Sequence, residues 1–149
     1  MSIKIPTFGV YLEIHSKYQF YTKKDKDVKE DETFKFDTMA DMLIMAALTG
    51  FYLKNYKPFN EHDKIERAIP WKPLLNNDSL MQIIKSICLL HVKENPKGAK
   101  ILLDNEDMSK IIEGYANGGI HHLIKKMEEG IDMEGNILSL IMENNDQFL

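Results

Sequence analysis

The chain has 149 residues, an apolar fraction of 44%, a charged fraction of 28% and a formal net charge of −4. Those values suit one domain with a real core and argue against wholesale disorder. The mild acidity gives no reason to expect non-specific nucleic-acid binding, which needs a basic surface.

The average conceals an asymmetry. Residues 1–100 carry 16 Lys/Arg and 13 Asp/Glu, a net of +3, whereas residues 101–149 carry 3 and 10, a net of −7. An acidic surface repels phosphate backbones and suits a basic protein face, although a solvated surface explains it more simply. Cys88 is the only cysteine, so no disulfide can form within the chain, and a lone thiol fits a reducing compartment. The first residues lack the apolar h-region of a signal peptide. The longest apolar stretch, Met42 to Leu48, is far short of the roughly 20 residues of a membrane span. A cytoplasmic location away from the membrane is expected.

In chain order, residues 7–21 are apolar and aromatic, and their pattern suits a helix and an extended segment about equally. Residues 22–33 are almost all charged, with both signs interleaved, and read as a solvated mobile loop. The first helix is expected from about Thr38 to Leu53, with Thr38 as N-cap and Asp41 completing a capping box. It is apolar almost all round, which suits the centre of a core or the seam of a homodimer. Residues 54–76 read as a connector holding Pro58, Pro70 and Pro73. Trp71 lies in Ile69-Pro70-Trp71-Lys72-Pro73, where it can plug the core or anchor a partner; the core is favoured. A second helix should start at Asn77-Asp78 and end near Asn95, before Pro96.

The third helix carries a stripe from Met108 to Met127 that keeps phase through Gly118-Gly119. One helix over about 105–129 is expected, with a break at Asn117-Gly118 as the alternative. Each interior glycine costs roughly 1 kcal/mol relative to Ala, so close backbone approach or a bend should accompany them. A short helix is expected at Ile137–Met142, and residues 143–149 should fray. The expected fold is all-α: a compact single-domain helical bundle of about four to five helices over residues 1–149, with the N-terminal segment left open.

Catalytic patterns are missing from the sequence. Gly118-Gly119 is not followed by the Lys-Ser/Thr of a P-loop, and there is no nucleophile elbow. Cys88 on an apolar helical face reads as an inert core thiol. No two histidines stand four apart on one helix, and His121 and His122 diverge by about 100°. No metal or cofactor is expected. Asp104 and Asp107 read as a helix start, and Glu128 and Glu129 as a solvated face.

Three stretches together resemble a known family: Phe36-Asp37-Thr38-Met39-Ala40-Asp41 continuing to Ala46-Ala47-Leu48-Thr49-Gly50-Phe51, then Ile69-Pro70-Trp71, then Tyr115-Ala116-Asn117-Gly118-Gly119-Ile120. In order and spacing, over residues 34–125, they are similar to the small DNA phosphorothioation-associated proteins (type 4) encoded beside bacterial dnd gene clusters. The resemblance implies a setting in bacterial DNA modification, restriction and anti-phage defence, and it supplies no catalytic residues.

The leading expectation is a non-catalytic accessory or adaptor that contacts protein components of such a system. Its candidate partner-binding residues are Trp71, Tyr115, Asn117, Gly118, Gly119, His121 and His122. The alternative is a small DNA-binding protein using Lys23, Lys24, Lys26, Lys54 and Lys57. A second alternative is a metal-dependent, nuclease-like enzyme whose carboxylates come together only in the fold.

Overall fold

A computed structural model describes residues 7–22, 35–94 and 105–129. Strand β1 (Thr7–Tyr11) runs straight into helix α1 (Leu12–Phe20). Helix α2 (Met39–Tyr52), strand β2 (Ile65–Pro70), the single turn α3 (Lys72–Leu75), helix α4 (Asp78–Glu94) and helix α5 (Asn105–Glu128) follow. All of the charged segment 22–33 except Thr22 lies outside the described residues, as do the expected helix at 137–142 and the tail at 143–149, so Lys23, Lys24 and Lys26 do too.

The expectation of an all-α fold needs correction. The described chain is mostly helical, but β1 and β2 form a two-stranded antiparallel sheet, with Thr7 opposite Pro70 and Tyr11 opposite Ile65. The open N-terminal segment is thus strand first and helix second, and the connector holds a strand and a helical turn. The register slips between Phe8 and Gly9, as a β-bulge does when one strand must bend. Pro70 ends β2, where the missing N–H costs least.

The long helices follow the sequence closely. Thr38 caps α2: its hydroxyl accepts from the Asp41 N–H at 3.1 Å, and Asp41 accepts from the Thr38 N–H at 3.1 Å. This reciprocal box satisfies two of the donors that a helix start leaves unpaired. At the other end, Lys54 N–H donates to the Phe51 carbonyl and Asn55 N–H to that of Gly50, with Lys54 at φ 56°. That is a Schellman ending, here with lysine in the left-handed position where glycine is usual. Asn77 caps α4 through its side-chain oxygen and the Leu80 N–H, 3.1 Å apart. Helix α5 runs unbroken through Asn117-Gly118-Gly119, so the single-helix reading holds.

Helices α2 and α5 form the centre and run antiparallel. Ala46 lies against Gly119, Gly50 against both Gly119 and Tyr115, and the chain after α2 lies against Gly118 and then Gly114. All residues from Ile111 to Ile120 are buried. The sheet covers another side of α5, where Phe8 stacks on Trp71 with ring centroids 4.9 Å apart. Helix α1 packs Ile14 and Tyr18, one turn apart, into the same core.

Candidate functional site

Three polar residues stand four apart on α5: Ser109, Glu113 and Asn117. That spacing puts them in one row along the helix. Each is buried, and each holds a different piece of chain. Ser109 accepts from the Trp71 indole N–H at 2.5 Å while its own hydroxyl donates to the Asn105 carbonyl. Glu113 accepts from the Gly9 N–H in β1 at 2.5 Å and faces the Arg67 guanidinium of β2 at 3.7 Å. Asn117 donates to the Lys57 carbonyl at 3.1 Å. Burial pushes the Glu113 carboxyl above the usual carboxylate range, while the Gly9 N–H, Arg67 and Lys110 pull it back. Arg67 also donates to the Thr7 carbonyl, so the guanidinium ties the end of β1 to β2.

A second cluster lies where α4 crosses α5. His91 Nδ1 stands 2.9 Å from the Tyr115 hydroxyl. The Tyr56 ring packs on both, with centroids at 4.6 Å from His91 and 4.8 Å from Tyr115, and Phe51 meets Tyr115 edge-on at 5.5 Å. Desolvation lowers the affinity of His91 for a proton. It pushes the Tyr115 hydroxyl up to about 12 and the nearby Cys88 thiol also to about 12. At neutral pH the histidine, tyrosine and thiol are therefore uncharged. Cys88 is fully buried, as expected of an inert core thiol, and its Sγ lies 3.9 Å from the Met108 carbonyl.

The structure divides the residues singled out in the sequence. Trp71 is fully enclosed, and Tyr115 and Asn117 are nearly so. Gly118 and Gly119 lie in the packed interior: a methyl group on Gly119 would run into the Ala46 carbonyl and the Gly50 backbone, and one on Gly118 into the Asn55 carbonyl. His121 is exposed and His122 half-buried. Lys54 and Lys57 are exposed and flank Tyr56. Their segment is fastened to α5 at several points: Asn55 Nδ2 to the Gly118 carbonyl at 2.8 Å, Lys57 N–H to the Gly114 carbonyl at 2.9 Å, and the bond from Asn117.

Sequence reasoning missed both the Glu113 contacts with Gly9 and Arg67 and the cluster of His91, Tyr56 and Tyr115. The row Ser109-Glu113-Asn117 was visible as a four-residue polar spacing inside an apolar helix. The packing of Tyr56 against His91 was not, because 35 positions separate them. Among the described residues, no group of three His, Cys, Asp or Glu side chains could hold a metal ion. No helix there is long and apolar enough to cross a membrane.

Taken together, the described residues form a helical protein with a small sheet layer, whose buried polar groups are spent largely on fastening its own segments. The family model for DNA sulphur modification system-associated protein 4 matches residues 22–148, and the chain belongs to that family. No curated protein and no solved structure matches it.

Proposed function

We propose that the protein is a non-catalytic accessory or adaptor of a DNA sulphur-modification system and acts by contact with that system's protein components. The observation that carries this reading is the family match over residues 22–148. The chemistry of the interior supports it: Glu113, Ser109 and Asn117 are occupied by structural bonds, and His91 and Tyr115 by each other. On this reading the contact uses surface groups such as the exposed His121, with the half-buried His122 beside it, toward the C-terminal end of α5. The test is affinity capture of a tagged full-length chain from its native host. Co-purification of sulphur-modification components, weakened by a His121→Ala/His122→Ala variant, is the expected result. Recovery of none of them above an unrelated tagged control would overturn the proposal.

A second reading, direct DNA contact, is favoured by one observation. Lys54 occupies a left-handed backbone position that glycine fills more cheaply, on a segment fastened to α5 that also exposes Lys57. Two phosphate contacts correspond to a salt-dependence slope of about −2. A gel-shift titration at low salt checks this: affinity lost in a Lys54→Ala/Lys57→Ala variant supports the reading, and absence of any shift removes it.

A further inference from the structure

Helix α4 buries Ile84, Ile87, Cys88 and Val92 and turns its opposite face to solvent. On that face Leu89 is 56% and Leu90 42% exposed, with Gln82 and Ser86 exposed beside them. The face repeats every seven residues: Ser79, Ser86 and Lys93 form one series, Gln82 and Leu89 a second, Ile83 and Leu90 a third. Such a repeat stays on one side of a helix and is the pattern by which one helix packs along another. Helix α2 continues the surface. Its Met45, Leu48 and Tyr52, three and four positions apart, are only half-buried. Leu48 and Tyr52 line a cavity of about 470 Å³ together with Ile83 and Leu90 of α4.

We infer that this face seats a second copy of the chain, with the two α4 helices antiparallel about a two-fold axis at Ser86. A two-fold interface must be complementary to itself, and this one is. At about 100° per residue, Ile83 and Leu90 lie on the α2 side of the line through Ser86, and Gln82 and Leu89 on the other. The antiparallel pair therefore sets Leu90 of each copy beside Ile83 of the other, over the cavity that α2 helps to form. On the far side it sets Leu89 against Gln82. Asp78 and Lys93 stand at opposite ends of α4 and both incline to that far side, so each Asp78 meets the Lys93 of the other copy.

The other charges of α4 agree with this arrangement. Glu94 falls on the α2 side, across the helix pair from the Asp78 of the second copy, and Lys85 points sideways, off the seam. Between Ser79 and Leu90 the seam itself carries no charge. A parallel pair would stack Lys93 on Lys93 and Asp78 on Asp78, so the charges select the antiparallel one. With serine on both sides at the crossing, the helix axes can approach to about 9 Å, which leaves the two Ser86 Cα atoms about 4–5 Å apart. A helix of 17 residues with flanking help from α2 makes a small interface, so a dissociation constant in the micromolar range is expected.

Sedimentation velocity of the full-length chain, from micromolar to millimolar concentration, should show a monomer–dimer equilibrium. Leu89→Asp/Leu90→Asp, at two exposed positions where the monomer tolerates charge, should weaken it roughly a hundredfold. A residue on a two-fold axis meets its own copy, so Ser86→Cys should form a disulfide between molecules. Under dimer-forming conditions it should close roughly tenfold faster than Lys85→Cys, which is also exposed but turned about 100° away. The native Cys88 is buried with its thiol pushed up to about 12 and does not compete. Asp78→Lys and Lys93→Asp should each weaken the dimer about fivefold, and the double variant, which restores opposite charges, should recover most of the loss. A chain that stays monomeric throughout overturns the inference and leaves the face to a different protein. So does a dimer in which Ser86→Cys closes no faster than Lys85→Cys, or in which the double charge swap recovers nothing, because either result places the seam elsewhere.

Discussion

Helix α5 meets its neighbours in two different ways. Toward α2 it has given up side chains: Gly119 lets the Ala46 carbonyl and the Gly50 backbone come close, and Gly50 in turn makes room for the Tyr115 carbonyl. Toward the sheet and the connector it keeps polar side chains, and Ser109, Glu113 and Asn117 each hold a distant segment by a hydrogen bond. The first contact is steric and depends on shape. The second is electrostatic and depends on satisfied groups in a dry interior. One helix thus combines dense packing, which tolerates no added atom, with a polar row, which tolerates no missing partner.

The sharpest way to break this comparison is Gly119→Ala. By helix propensity alone the change should stabilise by about 1 kcal/mol. Because the new methyl group meets backbone rather than a flexible side chain, we expect a net loss of about 3 kcal/mol instead. Urea unfolding checks the sign; a stabilised variant would show that α2 and α5 are not in backbone contact.

On the polar side, Glu113→Ala leaves the Gly9 N–H without its acceptor and should cost about 2 kcal/mol. Glu113→Gln separates the charge from the hydrogen bond. The Glu113 carboxyl is raised above its ordinary value, so the folded state binds the proton more tightly than the unfolded state. Its contribution to stability is therefore fully present below the unfolded carboxylate pKa and is lost as pH rises through the raised one. The stability of wild type minus that of Glu113→Gln should fall as pH rises over that window and be flat above it. Chemical denaturation at a series of pH values measures the difference; a difference that rises with pH would mean that Arg67 and the Gly9 N–H outweigh desolvation.

Where the polar row passes toward α4, Tyr115→Phe removes the partner of His91 Nδ1 and should cost about 1 kcal/mol. Burial is the main cause of the lowered His91 pKa, with Glu94 opposing it. The titration of His91, followed by NMR, should therefore stay below 6.5 in the variant. A return to the ordinary value would assign the shift to the hydroxyl instead.

These two kinds of contact differ in how far the sequence announces them. The capping box at Thr38 and Asp41, the Asn77 cap and the unbroken stripe of α5 were legible because each depends on residues three or four apart. The glycines signalled a close approach but not which neighbour approached. Strand β2 escaped notice because only Ile69 of its six residues is fully buried, and its pairing partner lies in residues 7–11, more than fifty positions away. Glu113 carried no legible signal of its partners, since an acid inside an apolar helix is interpretable only once Gly9 and Arg67 are known to face it. Trp71 was expected in the core, and the fold puts it there against Phe8; Tyr115 was a candidate partner-binding residue, and the fold turns it onto His91.

The smallest expected effect concerns the segment that joins the two regimes. Lys54 sits at φ 56°, and a non-glycine residue there carries a steric cost of about 1 kcal/mol. Lys54→Gly removes that cost but frees the unfolded chain, so the net gain should be about 0.5 kcal/mol. The variant should therefore be slightly more stable than wild type. If lysine is kept there for DNA contact, the same variant also loses low-salt DNA affinity while its fold tightens, a divergence that a purely structural role cannot produce. If stability instead falls, the Lys54 side chain contributes more to the α2 ending than its backbone strain removes. The bonds of Asn55 and Lys57 to α5 would then be holding a lysine whose value is structural.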